Sequence, residues 1–408
     1  MLIKKTYGID LGSSTIKVYS FLRNKTYLEK NMIASKGRKI IAVGNEAYDM
    51  FEKSPVDIVV NSPMAFGMIA NLELQEIALY SMMKKIDKFL GIGSDIFFSV
   101  PLDMTAVEKR AYYHVANGHW LRKNRVYMVE APIADALALG ITLEDNPGSM
   151  VVNIGAQSTQ FSIITDGKII ISKKIPIGGR QMNEAICSEI RKRYSLQIGT
   201  RTGKRLKLAM GRLNDQKKDA RKVVGIDSIS GLPREEIISG YVVNAGIMNC
   251  VNEIAAEMKT FLERTPPQIA YHISREGIYL TGGSTRLPYI DNYLASYTGF
   301  SFRLSQLYET SSVSGLEKIK SKHLLAIMTF FCVSAIVATL ASGVTSAPLQ
   351  EAAGLIIVPF EKSIASIGQW MTGVQDSFRE KEDLIQQNKE LQTTVDTLTE
   401  QNNVLLQD

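Results

Sequence analysis

The sequence predicts an α/β fold for residues 1–316, because short apolar segments alternate there with segments of helical periodicity. Strand-like runs occur at residues 7–9, 96–100, 150–154 and 277–280, and glycine or another turn residue flanks each of them. Runs of this length are typical of strands buried in a sheet. Beyond this region the composition changes twice, which separates an apolar segment from a polar, helical one.

The composition is that of a globular protein, since 45% of the residues are hydrophobic and 22% are charged. A chain of 408 residues is too long for one ordinary domain and suits two or three. The net charge of +6 is small, and no dense basic run is interleaved with aromatic residues, so nucleic-acid binding is not expected. No secretory signal pattern opens the sequence, so we expect the N-terminal region to stay in the cytoplasm.

The three cysteines predict neither a metal site nor a disulfide framework. Cys187, Cys250 and Cys332 are far apart in the sequence and form no CxxC pair. We therefore expect buried thiols in a reducing cytosol.

The apolar segment at residues 324–344 predicts a transmembrane helix. It contains 21 residues without a charge, and a helix needs about 20 to cross a bilayer. A buried core helix is the alternative, but such a helix usually carries a polar stripe, and this segment has only scattered Ser and Thr. Lys318, Lys320 and Lys322 precede it. Because positive charge stays inside, the N-terminal domain should be cytoplasmic and the C-terminus extracytoplasmic, in a single-pass protein of the inner membrane.

The last segment predicts an extracytoplasmic linker at residues 346–374 and a coiled coil at residues 375–408. Leucines recur every seven residues, and Asn or Val occupies the other seam position between them. These residues are Leu384, Asn388, Leu391, Val395, Leu398, Asn402 and Leu405. Asparagine in the seam lowers stability but fixes the register, often as a dimer, so we expect the stem to dimerise. A single solvated helix is less favoured, because the segment has few i,i+4 charge pairs.

Residues 8–17 carry the first candidate binding site. A strand-like segment ends in Asp10, and a small-residue turn follows at Gly12, Ser13, Ser14 and Thr15. Convergent backbone N–H groups and small hydroxyls suit phosphate oxygens. Lys17 can neutralise a phosphate, and Asp10 can order the water shell of Mg²⁺.

Two further turns of the same kind strengthen the prediction of a phosphate site. The second follows the strand-like run at residues 150–154 and consists of Gly155, Ala156, Gln157 and Ser158. The third follows residues 277–280 and contains Gly282, Gly283, Ser284 and Thr285. Three strand–turn units in this order suggest two phosphate-binding hairpins and one turn that faces an adenosine.

With these motifs in place, the sequence resembles the actin–Hsp70–sugar kinase superfamily, and MreB in particular. The resembling segments lie at residues 43–50, 54–73, 100–111, 198–211 and 261–283. The resemblance covers nearly all of residues 1–316. It implies a two-lobed, actin-like (ribonuclease H-like) fold with ATP and Mg²⁺ in the cleft. It also implies self-assembly into filaments at the membrane, in cell-shape determination together with MreB, MreC and MreD elongation proteins.

Residues 320–408 resemble a second family, the N-terminal stem of MreC. The segments at residues 320–332 and 346–370 and the heptads that follow carry this resemblance. MreC is a single-pass shape protein with a short cytoplasmic N-terminus, a membrane helix and then a coiled coil. The resemblance therefore implies an actin-like body joined to an MreC-like stem.

The sequence departs from MreB at positions that serve catalysis. Asn153 stands where the family has a second Mg²⁺-ordering carboxylate. Ala156 and Gln157 replace glycines, and we expect their side chains to crowd the approach of the turn to a phosphate. Ala131 occupies the position of the glutamate that positions the attacking water. Lys204 replaces the glutamate expected near the nucleoside, and Lys207 follows one turn later as a further nucleotide-binding candidate. No catalytic residue is therefore expected to be intact.

These departures favour a membrane-associated scaffold of cell-shape control that binds ATP with weak or absent hydrolysis. The alternative is an active ATPase that forms dynamic filaments and organises cell-wall elongation. A third possibility is a gene-level fusion without function, against which the regular heptads argue.

Overall fold

The structure is a computed structural model that describes residues 5–87, 93–102, 104–118, 124–214 and 219–318. The chain divides into two units, Met1–Leu325 and Ala326–Asp408, and all described residues belong to the first. The predicted transmembrane helix, linker and coiled coil lie outside the described residues. Within the described ranges no helix is long and apolar enough to cross a membrane.

The described part of the chain alternates strands and helices, as the sequence predicts. The strands are β1 (Thr6–Leu11), β2 (Thr15–Ser20), β3 (Lys25–Lys30), β4 (Ile33–Lys36), β5 (Lys39–Val43), β6 (Val59–Asn61), β7 (Met64–Ala65), β8 (Met68–Ile69), β9 (Asp95–Val100), β10 (Arg125–Glu130), β11 (Ser149–Ile154), β12 (Thr159–Thr165), β13 (Lys168–Ile175), β14 (Leu196–Gln197), β15 (Ala220–Asp227), β16 (Pro233–Ser239), β17 (Ile278–Thr281) and β18 (Phe302–Leu304). The helices are α1 (Asn45–Met50), α2 (Leu72–Ile86), α3 (Ala106–Asn117), α4 (Ala131–Ala138), α5 (Gly179–Tyr194), α6 (Thr200–Met210), α7 (Gly240–Glu263), α8 (Pro267–Glu276) and α9 (Ile290–Thr298). Short 3-10 helices occur at Gly283–Arg286 and Tyr308–Thr310, and residues 311–318 form a further helical segment.

The first lobe is built on a five-stranded sheet with the order β10-β9-β1-β2-β3. The β1–β2–β3 part is antiparallel, whereas β9 pairs parallel to both β1 and β10. Ile9 and Phe98 from this sheet pack with Leu79 and Met83 of α2 and Val115 of α3 in one buried cluster. Burial of each such side chain contributes about 1.5–3 kcal/mol, which explains why the central strands β1 and β9 are mostly apolar.

The second lobe repeats this topology, with the sheet order β13-β12-β11-β17-β18. Its β11–β12–β13 part is antiparallel, and β17 pairs parallel to both β11 and β18. Phe161 of this sheet packs with Ile186 of α5 and Val251 of α7 in the largest buried cluster of the described residues. Two lobes of like topology confirm the predicted two-lobed α/β fold.

Smaller sheets extend each lobe. The β5-β4-β6 sheet packs with α1 in the first lobe, and the β14-β15-β16 sheet precedes α7 in the second. Glu52, after α1, binds the N-terminus of α6, since its carboxylate accepts hydrogen bonds from Thr200 N at 2.7 Å and Arg201 N at 3.0 Å. The extension of the first lobe therefore contacts α6 of the second lobe.

Both described cysteines are free thiols. Cys250 is buried, as predicted, whereas Cys187 is half-buried. Burial raises the pKa of Cys187 to about 11, so this thiol is protonated at neutral pH. Cys332 lies outside the described residues.

Candidate functional site

A cavity of about 940 Å³ lies in the cleft between the lobes, at the ends of β1 and β11. It brings together residues from all three predicted turns and from α6. The predicted site residues that line it are Asp10, Gly12, Ser13, Ser14, Thr15, Lys17, Ala131, Asn153, Gly155, Ala156, Gln157, Ser158, Lys204, Lys207, Gly282, Gly283 and Ser284. The cavity therefore brings together residues that are up to about 270 positions apart in the sequence.

The first turn closes the β1–β2 hairpin. Gly12 N donates to Thr15 O at 3.2 Å, and a Cβ on Gly12 would lie 2.7 Å from that oxygen, so only glycine fits there. Next to the turn, Lys17 Nζ lies 2.7 Å from Asp10 Oδ2, and both side chains are largely buried. The turn therefore presents small polar groups beside one paired cation and carboxylate.

The second turn repeats this geometry in the other lobe. Gly155 N donates to Ser158 O at 2.9 Å, the same bond that Gly12 makes to Thr15. Gln157 does not simply crowd the turn, as the sequence suggested. Its side chain is buried, and its Oε1 accepts a hydrogen bond from Phe66 N at 2.7 Å. Since Gly67 N donates to Ser13 Oγ at 3.0 Å, the β7–β8 hairpin contacts both turns.

The amide of Asn153 is held by a carboxylate that the sequence analysis missed. Asn153 Nδ2 donates to Asp135 Oδ2 at 2.7 Å, and Ser312 Oγ donates to Asp135 Oδ1 at 2.7 Å. Burial raises the pKa of Asp135 to about 6, and the hydrogen bonds from Ser312 and Asn153 oppose that rise. The only sequence signal was a single acidic residue in the otherwise apolar helix α4.

This hydrogen bond fixes which way Asn153 points. Because the amide nitrogen faces Asp135, the oxygen Oδ1 faces the third turn, where a Cβ on Gly282 would lie 2.6 Å from it. The cleft therefore receives a neutral oxygen at position 153 instead of a carboxylate.

The donor set is sufficient for a nucleotide-bound Mg²⁺ but not for a protein-only metal site. Among the described residues no group of three or more His, Cys, Asp or Glu side chains is arranged to hold a metal. Mg²⁺ usually keeps several waters and binds one or two carboxylates plus substrate phosphates. Asp10 and Asn153 Oδ1 are the protein oxygens that fit this role, and the ion would supply charge neutralisation of the phosphates.

The third turn is tied to the second. Gly282 has φ of 96°, which favours glycine, and Ser284 Oγ donates to Gly155 O at 2.8 Å. Thr285 is fully buried and does not line the cavity. Its hydroxyl donates to Gly282 O at 2.7 Å, which stabilises the turn. Lys207 Nζ donates to Gly179 O at 2.6 Å. Burial lowers the pKa of Lys207 to about 8.

Position 131 offers no functional group to the cavity. Ala131 begins α4 directly after β10 and carries only a methyl group into the cleft. Glu130 is the exposed last residue of β10 and is not part of the cavity lining. This wall of the cavity therefore carries no polar side chain at position 131.

Two lobes of repeated topology, with a matching hairpin turn from each facing one cleft, define an actin-like protein. The profile of the family described as MreB/Mbl protein matches residues 4–326, most of the chain, so the chain belongs to the MreB/Mbl family. It is thus an MreB-like protein of the cell shape-determining class.

Individual relatives agree with this assignment. The chain is 30% identical over 298 residues to the cell shape-determining protein Mbl of Bacillus subtilis, covering 72% of this chain and 89% of that protein. It is 32% identical over 317 residues to MreB of Haemophilus influenzae, covering 73% and 90%. Among solved structures, MreB 5 of Spiroplasma citri bound to AMPPNP superposes with a TM-score of 0.75 at 25% identity, covering 81% of this chain and 99% of that one.

Proposed function

We propose that the chain binds ATP in the cleft, with the phosphates between the β1–β2 and β11–β12 turns, and hydrolyses it slowly or not at all. The observation that carries this proposal is the matched pair of hairpin turns, in which Gly12 and Gly155 make the same backbone bond on opposite sides of one cavity. Lys17 and Asp10 stand beside the first turn, where they would meet a phosphate and its Mg²⁺. The related MreB 5 structures are bound to ADP or AMPPNP, which supports the same ligand class.

Slow hydrolysis follows from two side chains. In phosphoryl transfer the protein contributes mainly positioning and charge stabilisation, so the loss of either affects the rate directly. Ala131 cannot orient a water, and Asn153 offers a neutral oxygen whose amide is already bound to Asp135. An active ATPase is the alternative function, and the retained Asp10–Lys17 pair is the observation that favours it.

The nucleotide-bound protein would act as a filament-forming scaffold in cell-shape control. The fold is shared with MamK, whose solved structure is a double helical filament and superposes with a TM-score of 0.65. The apolar segment at residues 324–344 would anchor the scaffold in the inner membrane, with residues 1–316 in the cytoplasm. Residues 375–408 would dimerise outside, as an MreC-like stem, and MreB, MreC and MreD elongation proteins would be the partners.

The test is equilibrium binding and single-turnover hydrolysis of ATP by the full chain in detergent. We expect Mg²⁺-dependent binding that Lys17→Ala weakens at least tenfold. We also expect phosphate release far slower than that of Bacillus subtilis Mbl measured in parallel. Turnover equal to that of Mbl would instead establish the ATPase alternative, and no detectable binding would refute the proposal.

A further inference from the structure

Three cationic side chains surround one aromatic ring at the α6 side of the cleft. Arg201, Lys204 and Lys30 place their charged ends 5.0, 5.2 and 5.4 Å from the centre of the Tyr48 ring. Lys30 and Tyr48 belong to the first lobe, whereas Arg201 and Lys204 lie on α6 in the second. The cluster therefore spans the cleft.

Arg201 is fully engaged by the protein. Its guanidinium donates to the carbonyl oxygens of Tyr48 and Asp49 at 3.0 Å and pairs with Asp49 Oδ1, also at 3.0 Å. The adjacent helix N-terminus is bound by Glu52. The protein itself therefore neutralises both the Arg201 guanidinium and the N-terminus of α6.

Lys30 and Lys204 differ from Arg201, because no carboxylate of the described residues lies within 4 Å of either ammonium group. Lys204 Nζ makes one long hydrogen bond, 3.5 Å to the hydroxyl of Tyr48, and its side chain is also within hydrogen-bonding reach of Lys30. The negative charge of Glu309 raises the pKa of Lys30, but this carboxylate is already paired with Arg286, whose Nε lies 3.0 Å from Glu309 Oε2. Burial, followed by the charge of Lys204, lowers the pKa of Lys30, and burial likewise lowers the pKa of Lys204. Two partly buried like charges with no anion between them are unfavourable unless a ligand supplies one.

The position of this lysine pair identifies which part of a nucleotide it would meet. Both lysines line the same cavity as the phosphate turns. Lys204 lies one helical turn before Lys207, whose Nζ donates to Gly179 O at the start of α5. Gly179 is adjacent to the third turn, because a Cβ on it would lie 2.6 Å from Ser284 Oγ. Lys17, in contrast, accompanies the first turn. A nucleotide with its 5′-phosphates at the two hairpins would therefore direct its ribose toward α6.

Charge at the ribose end of a nucleotide site selects for phosphorylation of the ribose. In dinucleotide-binding folds an acidic side chain binds the ribose hydroxyl, whereas a cationic one accommodates a phosphate at that position. We propose that Lys30 and Lys204 together bind a phosphate on the 2′ or 3′ oxygen of the ribose. The cleft would then prefer a nucleotide that carries this phosphate in addition to its 5′-phosphates. The inference rests on the proposed nucleotide binding. One bound phosphate would also join the two lobes, because each lysine comes from a different lobe.

The test compares ADP with adenosine 3′-phosphate 5′-diphosphate and its 2′-phosphate isomer, by calorimetric titration of the full chain in detergent. We expect at least one isomer to bind tenfold or more tightly than ADP. The preference, which is the ratio of the two dissociation constants, should fall to about one in Lys204→Glu and in Lys30→Met. Lys25→Met, on the same strand as Lys30 but exposed, should retain it.

The possible failures are distinguishable. If ADP binds and neither isomer binds more tightly, the lysine pair has no role in selecting a ribose phosphate and the inference is wrong. It is equally wrong if the preference exists but survives in either Lys204→Glu or Lys30→Met with a melting temperature near that of the parent. If no nucleotide binds at all, the proposed function fails and this inference fails with it.

Discussion

Restoring the carboxylate at position 153 alone should destabilise the protein. In Asn153→Asp the new carboxylate would face Asp135 Oδ2, which the amide nitrogen now approaches to 2.7 Å. The change removes a hydrogen bond to a charged group, which contributes about 1.5–3 kcal/mol. It also adds repulsion between the buried carboxylate of Asp135 and a half-buried one at position 153, which is about 4 kcal/mol at about 4 Å and an effective dielectric constant of about 20. Protonation of one carboxyl limits the total, so we expect a loss of about 2–4 kcal/mol at pH 8.

The deficit should depend on pH in a defined direction. The pKa of Asp135 is already raised, to about 6, and a second carboxylate would raise it further. A group with a raised pKa keeps its stability below its unfolded pKa and loses it as pH rises through the folded value. The deficit of Asn153→Asp should therefore be small at pH 5 and largest near pH 8.

The matched control exchanges the two side chains. In the double variant Asn153→Asp, Asp135→Asn, the amide at 135 can donate to the carboxylate at 153 and accept from Ser312, so every partner is retained. Chemical denaturation of the full chain at pH 5 and pH 8 measures the free energies of unfolding. The reasoning is refuted if Asn153→Asp matches the parent at pH 8, or if the double variant is no more stable than Asn153→Asp.

Three further predictions concern catalysis, charge and topology. Turnover should return only when Ala131→Glu is combined with both Asn153→Asp and Asp135→Asn, because a carboxylate at 153 can order Mg²⁺ only after its neighbour is neutralised. Single-turnover phosphate release with and without Asp135→Asn shows whether the rate gains of the other two substitutions depend on it or simply add. Because the pKa of Lys207 is lowered to about 8, the unfolded chain binds more protons than the folded chain above that pH. The free energy of unfolding should therefore rise between pH 8 and 9.5 relative to Lys207→Met, and an equal change with pH in both proteins would contradict this. A cysteine-free chain carrying Phe360→Cys should react with an impermeant maleimide in intact cells, and labelling only after lysis would reverse the proposed orientation.

The elements that were predictable from sequence are those with a local signal. The strands β1, β9, β11 and β17 follow from uninterrupted apolar runs, and the turns that succeed β1, β11 and β17 follow from glycine and small polar residues. The pairing of the two turns across one cavity was inferred from resemblance, since no local pattern encodes the approach of residues so distant in the chain.

The contacts that were missed depend on tertiary packing. Asp135 has no motif of its own, and its role appears only when α4, β11 and the helical segment at residues 311–318 come together. Gln157 was interpreted as crowding a phosphate, whereas its bond to Phe66 joins residues that are 91 positions apart in opposite lobes. Both side chains are polar and buried, so their partners decide their role, and a single sequence does not identify those partners.

The comparison of ATP binding with ATP turnover in one preparation tests the central claim most directly. The full chain in detergent, at saturating ATP and Mg²⁺, would be assayed for bound nucleotide and for released phosphate beside Bacillus subtilis Mbl. The account predicts bound ATP that remains largely unhydrolysed, because Ala131 cannot position a water and Asn153 supplies no second metal-ordering charge. Phosphate release at the rate of Mbl would contradict it.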